Sequence, residues 1–449
     1  MADHALARLR PEDVQRRTQL VELREKAVAA QTAQVTQTSY LLGKLPVETL
    51  VGIFSLLIDE DHTWAVKLSH VCGHWRRILI DTPSAWQTLV LTKKRPVQKA
   101  KLWKQRTKNR INRINVSMPW LDRAAVFAEL QDLSWNDLSS LCISGEAFVE
   151  LHCMLSDISF PHAFSNLDEL TLFDFTSAEQ LSCCLSGPDW KLRILRLNGV
   201  TIMVDEWWQR IRRLKELCLT GSVNRFSTLV FTTNPLLERL VLAFPISPDS
   251  DMDNVAPTPM DNLKSVECRA VPEPLRVLRV ITAPSITYFG ISSAASMVDE
   301  TLLHMACRSS LVELYIAHCS FSPHTLQTVF SSTPSLETLR VNHLYGVVNE
   351  MFQFLTPKVV DSLPCRALRH VDVSGCSDLT TSSLYAFVKT RIQYASDSVG
   401  PAEKCAVIAS LKVDKCPGIE PDMLPWFRSK IAQFSCVYAT KKDFVKSRR

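Results

Sequence analysis

LVELYIAHCSF, Leu311 to Phe321, places apolar residues at Leu311, Leu314, Ile316, Cys319 and Phe321. The spacing returns in ALRHVDVSGCSDL (Leu368, Val371, Val373, Cys376, Leu379) and in VIASLKVDKCPGI (Ile408, Leu411, Val413, Cys416, Ile419). Shorter forms run upstream: SLETLRV, SITYFGI, NLKSVEC, LLERLVLAF, RLKELCLTGS, KLRILRLNGV, NLDELTLFDF, DLSSLCIS, RINRINVS and WQTLVLT. The first apolar residues of these matches are Trp86, Ile111, Leu138, Leu167, Leu192, Leu214, Leu237, Leu263, Ile286, Leu311, Leu336, Leu368 and Ile408. Most steps between them are 22 to 29 residues, and the last two are 32 and 40, which implies insertions there.

The pattern matches the leucine-rich repeat template, with Cys in its Asn/Cys position. Each repeat offers a short strand whose Leu, Ile and Val side chains point inward, followed by a return segment, usually helical. One repeat cannot bury its apolar edge alone, so neighbours stack. The expected fold is therefore α/β: a solenoid with a parallel concave sheet and convex helices. Cys319, Cys376 and Cys416 read as small buried side chains where the chain leaves the strand. Two stretches interrupt the array. PISPDSDMDNVAPTPMDN, after Phe244, reads as a solvated loop. Its Asp249, Asp251 and Asp253 imitate a calcium loop, but Asn254 takes the glycine position and Met260 the final glutamate position, so no calcium is expected. In the last step SSLYAFVKTRIQYA reads as helix and SDSVGPAE as loop.

Composition narrows the function. Of 449 residues 46% are hydrophobic, ample for large cores. The polar N-terminus shows no apolar h-region, and no apolar run approaches the roughly 18 residues of a membrane span. The expectation is a soluble protein of the cytoplasm or nucleus, or both, with no membrane partner. The 14 cysteines include no CxxC pair and read as free thiols. No two of the 12 glycines lie closer than Gly43 and Gly52, which excludes GxGxxG, GxSxG and P-loop motifs. No nucleophile–base pair has motif spacing either, and the expectation is a protein that is not an enzyme and has no cofactor.

Before the repeats lies LLGKLPVETLVGIFSLLIDEDHTWAVKLSHVCGHWRRILIDTPSAW. Pro46 suits the first turn of a helix and Glu48 its positive end. Val47, Leu50, Ile53, Phe54 and Leu57 follow at helical spacing. A second helix is expected from near Thr63, capped by Asp61 or Thr63, with Trp64, Leu68, Val71, Cys72, Trp75, Ile78 and Leu79 on one face. His70, Cys72 and His74 look like ligands, but Cys72 falls within that face and the histidines outside it. The histidines are spaced as in HExxH, yet Val71 stands where the glutamate base would be, so no metal is expected.

The helix pair resembles the F-box, a helical module that docks on the Skp-type adaptor of cullin-RING ubiquitin ligases. The likeness is carried by Leu45-Pro46-x-Glu48, Leu50, Ile53-Phe54, Leu68, Val71-Cys72, Trp75-Arg76 and Trp86. It departs from that family at Gly73, where a polar or basic residue is usual, and in its long inter-helix segment. An F-box followed by Cys-containing repeats resembles the substrate receptors of those ligases. The resemblance covers residues 40–436, with an F-box at 40–92 and repeats at 93–436; outside it, Leu6, Leu9, Leu20, Leu23 and Ala27 suggest a polar helical arm at 1–39, and 437–449 reads as a basic tail. It implies adaptor contact, and through the adaptor cullin contact, by Leu45, Pro46, Leu50, Ile53, Leu68, Val71 and Trp75. The repeats would hold a protein target. A scaffold of the same repeats outside any ligase is the alternative, with the helix pair as a cap on the first repeat.

Between the repeat leucines, strand side chains alternate away from the core. That places Phe173, Arg196, Arg239, Tyr288, Tyr315 and Arg340 on one surface, and aromatics and Arg are the types that anchor interfaces. The formal charge of +5 is local, because Lys93 to Arg113 holds ten Lys/Arg and no acid. The segment invites a nucleic-acid reading, with Trp103 available to stack, and KKRP also resembles an import signal. Its place between two strands favours instead a solvated helix face, with Lys99, Arg106 and Lys108 outward and Leu102 inward.

Overall fold

The structure is a computed structural model. It describes residues 45–116, 123–155, 164–174, 190–199, 208–221, 228–243, 255–294, 297–307, 310–356, 363–397 and 405–438, with Glu22 and Lys26. Outside the described residues lie the N-terminal arm with Leu6, Leu9, Leu20, Leu23 and Ala27, the pseudo-calcium aspartates, most of SDSVGPAE, and the tail beyond Tyr438. The chain divides into two compact units, residues 1–88 with 105–108, and residues 89–104 with 109–449.

The larger unit is a leucine-rich-repeat solenoid. Among the described residues its sheet has fourteen strands. They are β1 (Thr88–Leu91), β2 (Arg113–Val116), β3 (Ser140–Ser144), β4 (Glu169–Phe173), β5 (Ile194–Asn198), β6 (Glu216–Thr220) and β7 (Arg239–Ala243). Then come β8 (Ser265–Arg269), β9 (Tyr288–Ser292), β10 (Glu313–Ala317), β11 (Thr338–Asn342), β12 (His370–Asp372), β13 (Ser410–Lys412) and β14 (Gln433–Ser435). The strands follow one another in chain order, and the registered neighbours are parallel. A separate two-stranded ribbon joins Thr258–Pro259 to Ile281–Thr282.

All thirteen anchors read from the sequence are buried. They precede the first thirteen strands, and Ile431, also buried, anchors the fourteenth. In strands such as Glu169–Phe173 and Glu216–Thr220 the burial alternates, so one face of the sheet is core and the other open, whereas the middle residues of Arg239–Ala243, Ser265–Arg269 and Tyr288–Ser292 are buried on both faces. Cys376 and Cys416 are buried at the strand exits, where their thiols donate to the carbonyls of Val341 (3.3 Å) and Val373 (3.1 Å). Burial pushes both thiols up, to about 12 and about 11, so they are inert. The exit residue itself is left-handed in repeat after repeat: Asp174, Gly199, Gly221, Ala270, Ser293, His318, His343, Gly375 and Lys415. At Gly221 a Cβ would lie 2.6 Å from Gly199 Cα, so the turns close only with glycine there.

Side chains tie one return segment to the next. Asp299 accepts the Ser322 N–H at 2.8 Å, and Asp378 accepts the Val348 N–H at 3.0 Å, each capping a neighbouring repeat's helix. The long last step contains the expected helix, Thr381–Asp397. Its Arg391 is fully buried and donates to the carbonyls of Pro364 (2.8 Å) and Cys365 (2.9 Å).

The smaller unit contains α1 (Val47–Glu60), α2 (Trp64–Ser69) and α3 (Gly73–Ile80). The single helix expected from Thr63 to Leu79 is therefore two. The chain breaks at Cys72, which is extended and whose sulfur accepts the Trp75 N–H at 3.5 Å. Gly73 starts α3, a position where glycine does not weaken a helix interior, and its Cβ would meet nothing within 4 Å. Asp61 closes the turn into α2. Its carboxylate accepts the Thr63 hydroxyl at 2.6 Å and the Thr63 N–H at 2.9 Å, and these hold its carboxyl down to about 2.

The basic segment is helical, α4 (Pro96–Thr107), but its phase corrects the expectation. Ala100, Trp103 and Thr107 face inward, and Leu102 is exposed. Lys99 is half-buried with its ammonium 4.9 Å from the Trp103 ring, and Arg106 lies 3.9 Å from the Trp86 ring. Only Lys108 of the three cations expected outward is fully exposed. Leucine loses the inward place because the larger indole fills it.

Candidate interaction surfaces

In the smaller unit, α1 buries Leu50 and Phe54, α2 buries Leu68, and α3 buries Ile78 and Leu79. Phe54 packs on Trp75 with ring centroids 4.9 Å apart. Trp86 is buried, and its indole N–H donates to the Leu79 carbonyl at 2.7 Å. This small core consumes two of the seven residues expected at an adaptor. Leu50 and Leu68 are interior, because each falls on the face where the helices meet, and they cannot contact a partner directly. Leu45 and Trp75 are half-buried, whereas Pro46, Ile53 and Val71 are exposed.

The remaining apolar surface was only partly visible in the sequence. Val47, Leu56, Val66 and Ile80 are also exposed. On α1, Ile53 and Leu56 are one turn apart on a stripe that flanks the buried face of Leu50 and Phe54. The run Leu56-Leu57-Ile58 was the available signal: three consecutive apolar residues cannot all fit one buried helix face.

The open face of the larger unit carries all six residues expected at a target, each exposed or half-buried. Strand register adds what spacing could not. Arg196 on β5 lies between Glu169 and Glu216 and binds both, Glu216 at 3.0 Å. Arg269 clamps Glu267 with bonds of 2.6 and 2.9 Å. Arg340 reaches Glu313 at 3.0 Å. The face is thus a mosaic of closed ion pairs. Tyr288 leans over Gly290, where a Cβ would come within 2.8 Å of its hydroxyl. Burial, with Glu267 and Glu313 beside it, pushes the Tyr288 hydroxyl up to about 12. Tyr315 is pushed up as well, by burial and then Glu267. Both phenols stay neutral donors. Phe173 stands apart, opposite Asn198 on β5.

Among the described residues, no three His, Cys, Asp or Glu side chains are grouped as a metal site requires, and no helix is long and apolar enough to cross a membrane.

Residues 42–92 match the F-box-like family, and they form an F-box-like domain. No curated protein matches the chain. Among solved structures, the crystal structure of the yeast Rad7 and Elc1 complex is similar over 97% of this chain and 98% of that chain, at 11% identity and a TM-score of 0.47. An internalin from Listeria monocytogenes is similar over 62% of this chain and 82% of its own, at 14% identity and a TM-score of 0.35.

Proposed function

We propose that this chain is the substrate-recognition subunit of a cullin-RING (SCF-type) ubiquitin ligase. Its F-box-like domain docks on the Skp-type adaptor, and its repeats hold a protein target. The observation that supports this best is the apolar surface left on the F-box-like domain. Pro46, Val47, Ile53, Leu56 and Val71 are exposed around a core too small to cover them. Exposed apolar patches of this kind mark interfaces.

In this reading Leu45 and Trp75 flank the contact, while Leu50 and Leu68 hold the helices that present it. The target binds the open sheet face through Phe173, Arg196, Arg239, Tyr288, Tyr315 and Arg340. No residue of the chain need do chemistry. Holding acceptor lysines near the loaded enzyme raises their effective concentration, and that proximity is the chain's contribution. The cytoplasm and the nucleus both suit such a subunit.

The test is co-purification of the full chain with a Skp-type adaptor and a cullin, read by mass spectrometry. Recovery of both is expected. Failure to bind any such adaptor would sink the ligase reading and leave a repeat scaffold. Alanine at Tyr288, Tyr315 and Arg340 together is expected to abolish capture of a target found in those complexes while adaptor binding persists. Capture by that variant at wild-type level would move the target site off this face.

A further inference from the structure

Four cations from consecutive repeats gather at the N-terminal edge of β4 to β8. Arg193, Lys215, Arg239 and Lys264 line a cavity of about 350 Å³, together with Asp168, Glu216 and Glu238. The repeat itself builds it. Asp168, Arg193, Lys215, Glu238 and Lys264 each precede the first residue of a strand. Their main chains are in register: each N–H from Arg193 onward donates to the preceding member's carbonyl, at 2.7 to 2.9 Å. The spacing of about 4.8 Å between neighbouring strands sets these side chains side by side.

The charges do not cancel. Arg193 reaches Asp168 at 3.5 Å, and Lys215 reaches Glu238 at 2.7 Å. Glu216 is held closer by Arg196, at 3.0 Å, so Arg239 stands off at 3.8 Å. Lys264 makes no ion pair among the described residues, although its charge is felt at Glu238. The hydrogen bond and charge of Lys215, with Lys264 and Arg193 behind them, hold the Glu238 carboxyl below its ordinary range. The local field is therefore positive despite three carboxylates. Those carboxylates also limit what can enter. They repel a continuous polyanion such as nucleic acid, but they leave room for one anionic group beside the two unsaturated cations.

We infer that this cavity receives a single anionic side chain of the captured target, a carboxylate or a phosphoserine, between Arg239 and Lys264. The inference rests on the reading that the repeats capture a protein. It adds the chemistry of the recognised group and moves the centre of recognition toward the strand edge.

The test uses the full chain and degenerate peptide libraries whose fixed central residue is glutamate, phosphoserine, serine or lysine. Retention of the glutamate or phosphoserine library is expected to exceed that of serine by about tenfold or more, as a charge-assisted hydrogen bond allows. Lys264→Gln should reduce this preference, and Arg239→Gln with Lys264→Gln should erase it. Lys389→Gln with Lys430→Gln, exposed cations elsewhere on the same unit, should leave it intact. Preference for phosphoserine alone identifies phosphate as the source, and equal retention of glutamate identifies the carboxylate. Equal retention of serine overturns the inference, as does a preference that survives the double variant or is lost equally in the control. Adaptor binding is scored on the same preparations. Adaptor bound without anion preference defeats this inference alone, and preference without adaptor defeats the ligase reading alone.

Discussion

Truncating exposed and buried apolar residues of the F-box-like domain will separate adaptor binding from folding. Ile53, Leu56 and Val71 are 43%, 73% and 60% exposed. Fully burying such side chains contributes roughly 1.5–3 kcal/mol each. Scaled by the fraction a partner could still cover, Ile53 and Val71 offer about 1 kcal/mol apiece and Leu56 about 1.5 kcal/mol. The triple variant Ile53→Ala, Leu56→Ala, Val71→Ala should therefore weaken adaptor binding by about 3.5 kcal/mol, or about 400-fold in Kd. Its melting should stay close to wild type, since surface substitutions shift stability by roughly 0.5 kcal/mol or less. Leu50→Ala should behave in the opposite way. Leu50 is 1% exposed, and such a truncation costs about 2–5 kcal/mol with the cavity it leaves. Adaptor affinity of the fraction still folded should then change little. Calorimetric titration with purified adaptor, alongside thermal melts followed by circular dichroism, reads both quantities. An unchanged Kd for the triple variant would refute the docking surface. An unchanged melt for Leu50→Ala would refute the assignment of that residue to the core.

Reversing Lys93, Lys94, Arg95 and Lys101 to glutamate should leave thermal stability intact, whereas Trp103→Ala should cost about 3–5 kcal/mol; tight, salt-sensitive duplex binding by the wild type would reinstate a nucleic-acid role. Arg391→Ala should lower the urea midpoint by the equivalent of at least about 3 kcal/mol, because it leaves a cavity, removes the Arg391 donor from the Pro364 carbonyl and takes one of two donors from the Cys365 carbonyl. His343 stacks on His318 at 4.6 Å, and burial, then His318 and Lys415, hold its imidazole below the ordinary 6.5. Its neutral form suits the fold, so stability is full above about pH 6.5 and falls as acid protonates the unfolded chain first; urea midpoints should fall less for His343→Gln than for wild type between about pH 7.5 and about pH 5.5. Gly375→Ala should disturb the same stack, since its Cβ would lie 2.3 Å from His343 Nδ1 at a φ of +76°; an unchanged melt would show the ladder to be loose.

Much of the solenoid was legible because its signal is one residue type at one spacing. Leu-x-x-Leu places two side chains on the same side of a strand entry, and stacking makes each burial depend on its neighbours. The last strand escaped because Ile431-x-x-Phe434 ends the array with polar Gln433 and Ser435 around it, although Ile431 follows Ile408 by 23 residues. The break at Cys72 was hidden by a different cause. Trp64 to Leu79 has helical periodicity throughout, so spacing cannot distinguish one helix from two that share a core. The phase of α4 was misread because both Leu102 and Trp103 can serve as an inward residue. Only the packing decides, and it favours the larger ring.

The charges of the open face were the least legible part, for a physical reason. Glu169, Arg196 and Glu216 are spread over 47 residues of chain, yet register makes them neighbours. That pairing changes how candidate anchors should be weighed. An arginine already held by two carboxylates gains little from a third, because binding would exchange one ion pair for another. Such a residue fixes the shape of the surface and excludes partners with misplaced charge. Net attraction has to come from groups whose partners are incomplete. On this face those are the phenol hydroxyls of Tyr288 and Tyr315, kept neutral and able to donate, and the surplus cations at the strand edge. Arg239 belongs to both sets, since it lies on the open face and also lines the cavity. A target that engages the tyrosines with its backbone or an apolar side chain, while directing one anionic group toward Arg239, would satisfy both without breaking a pair already formed.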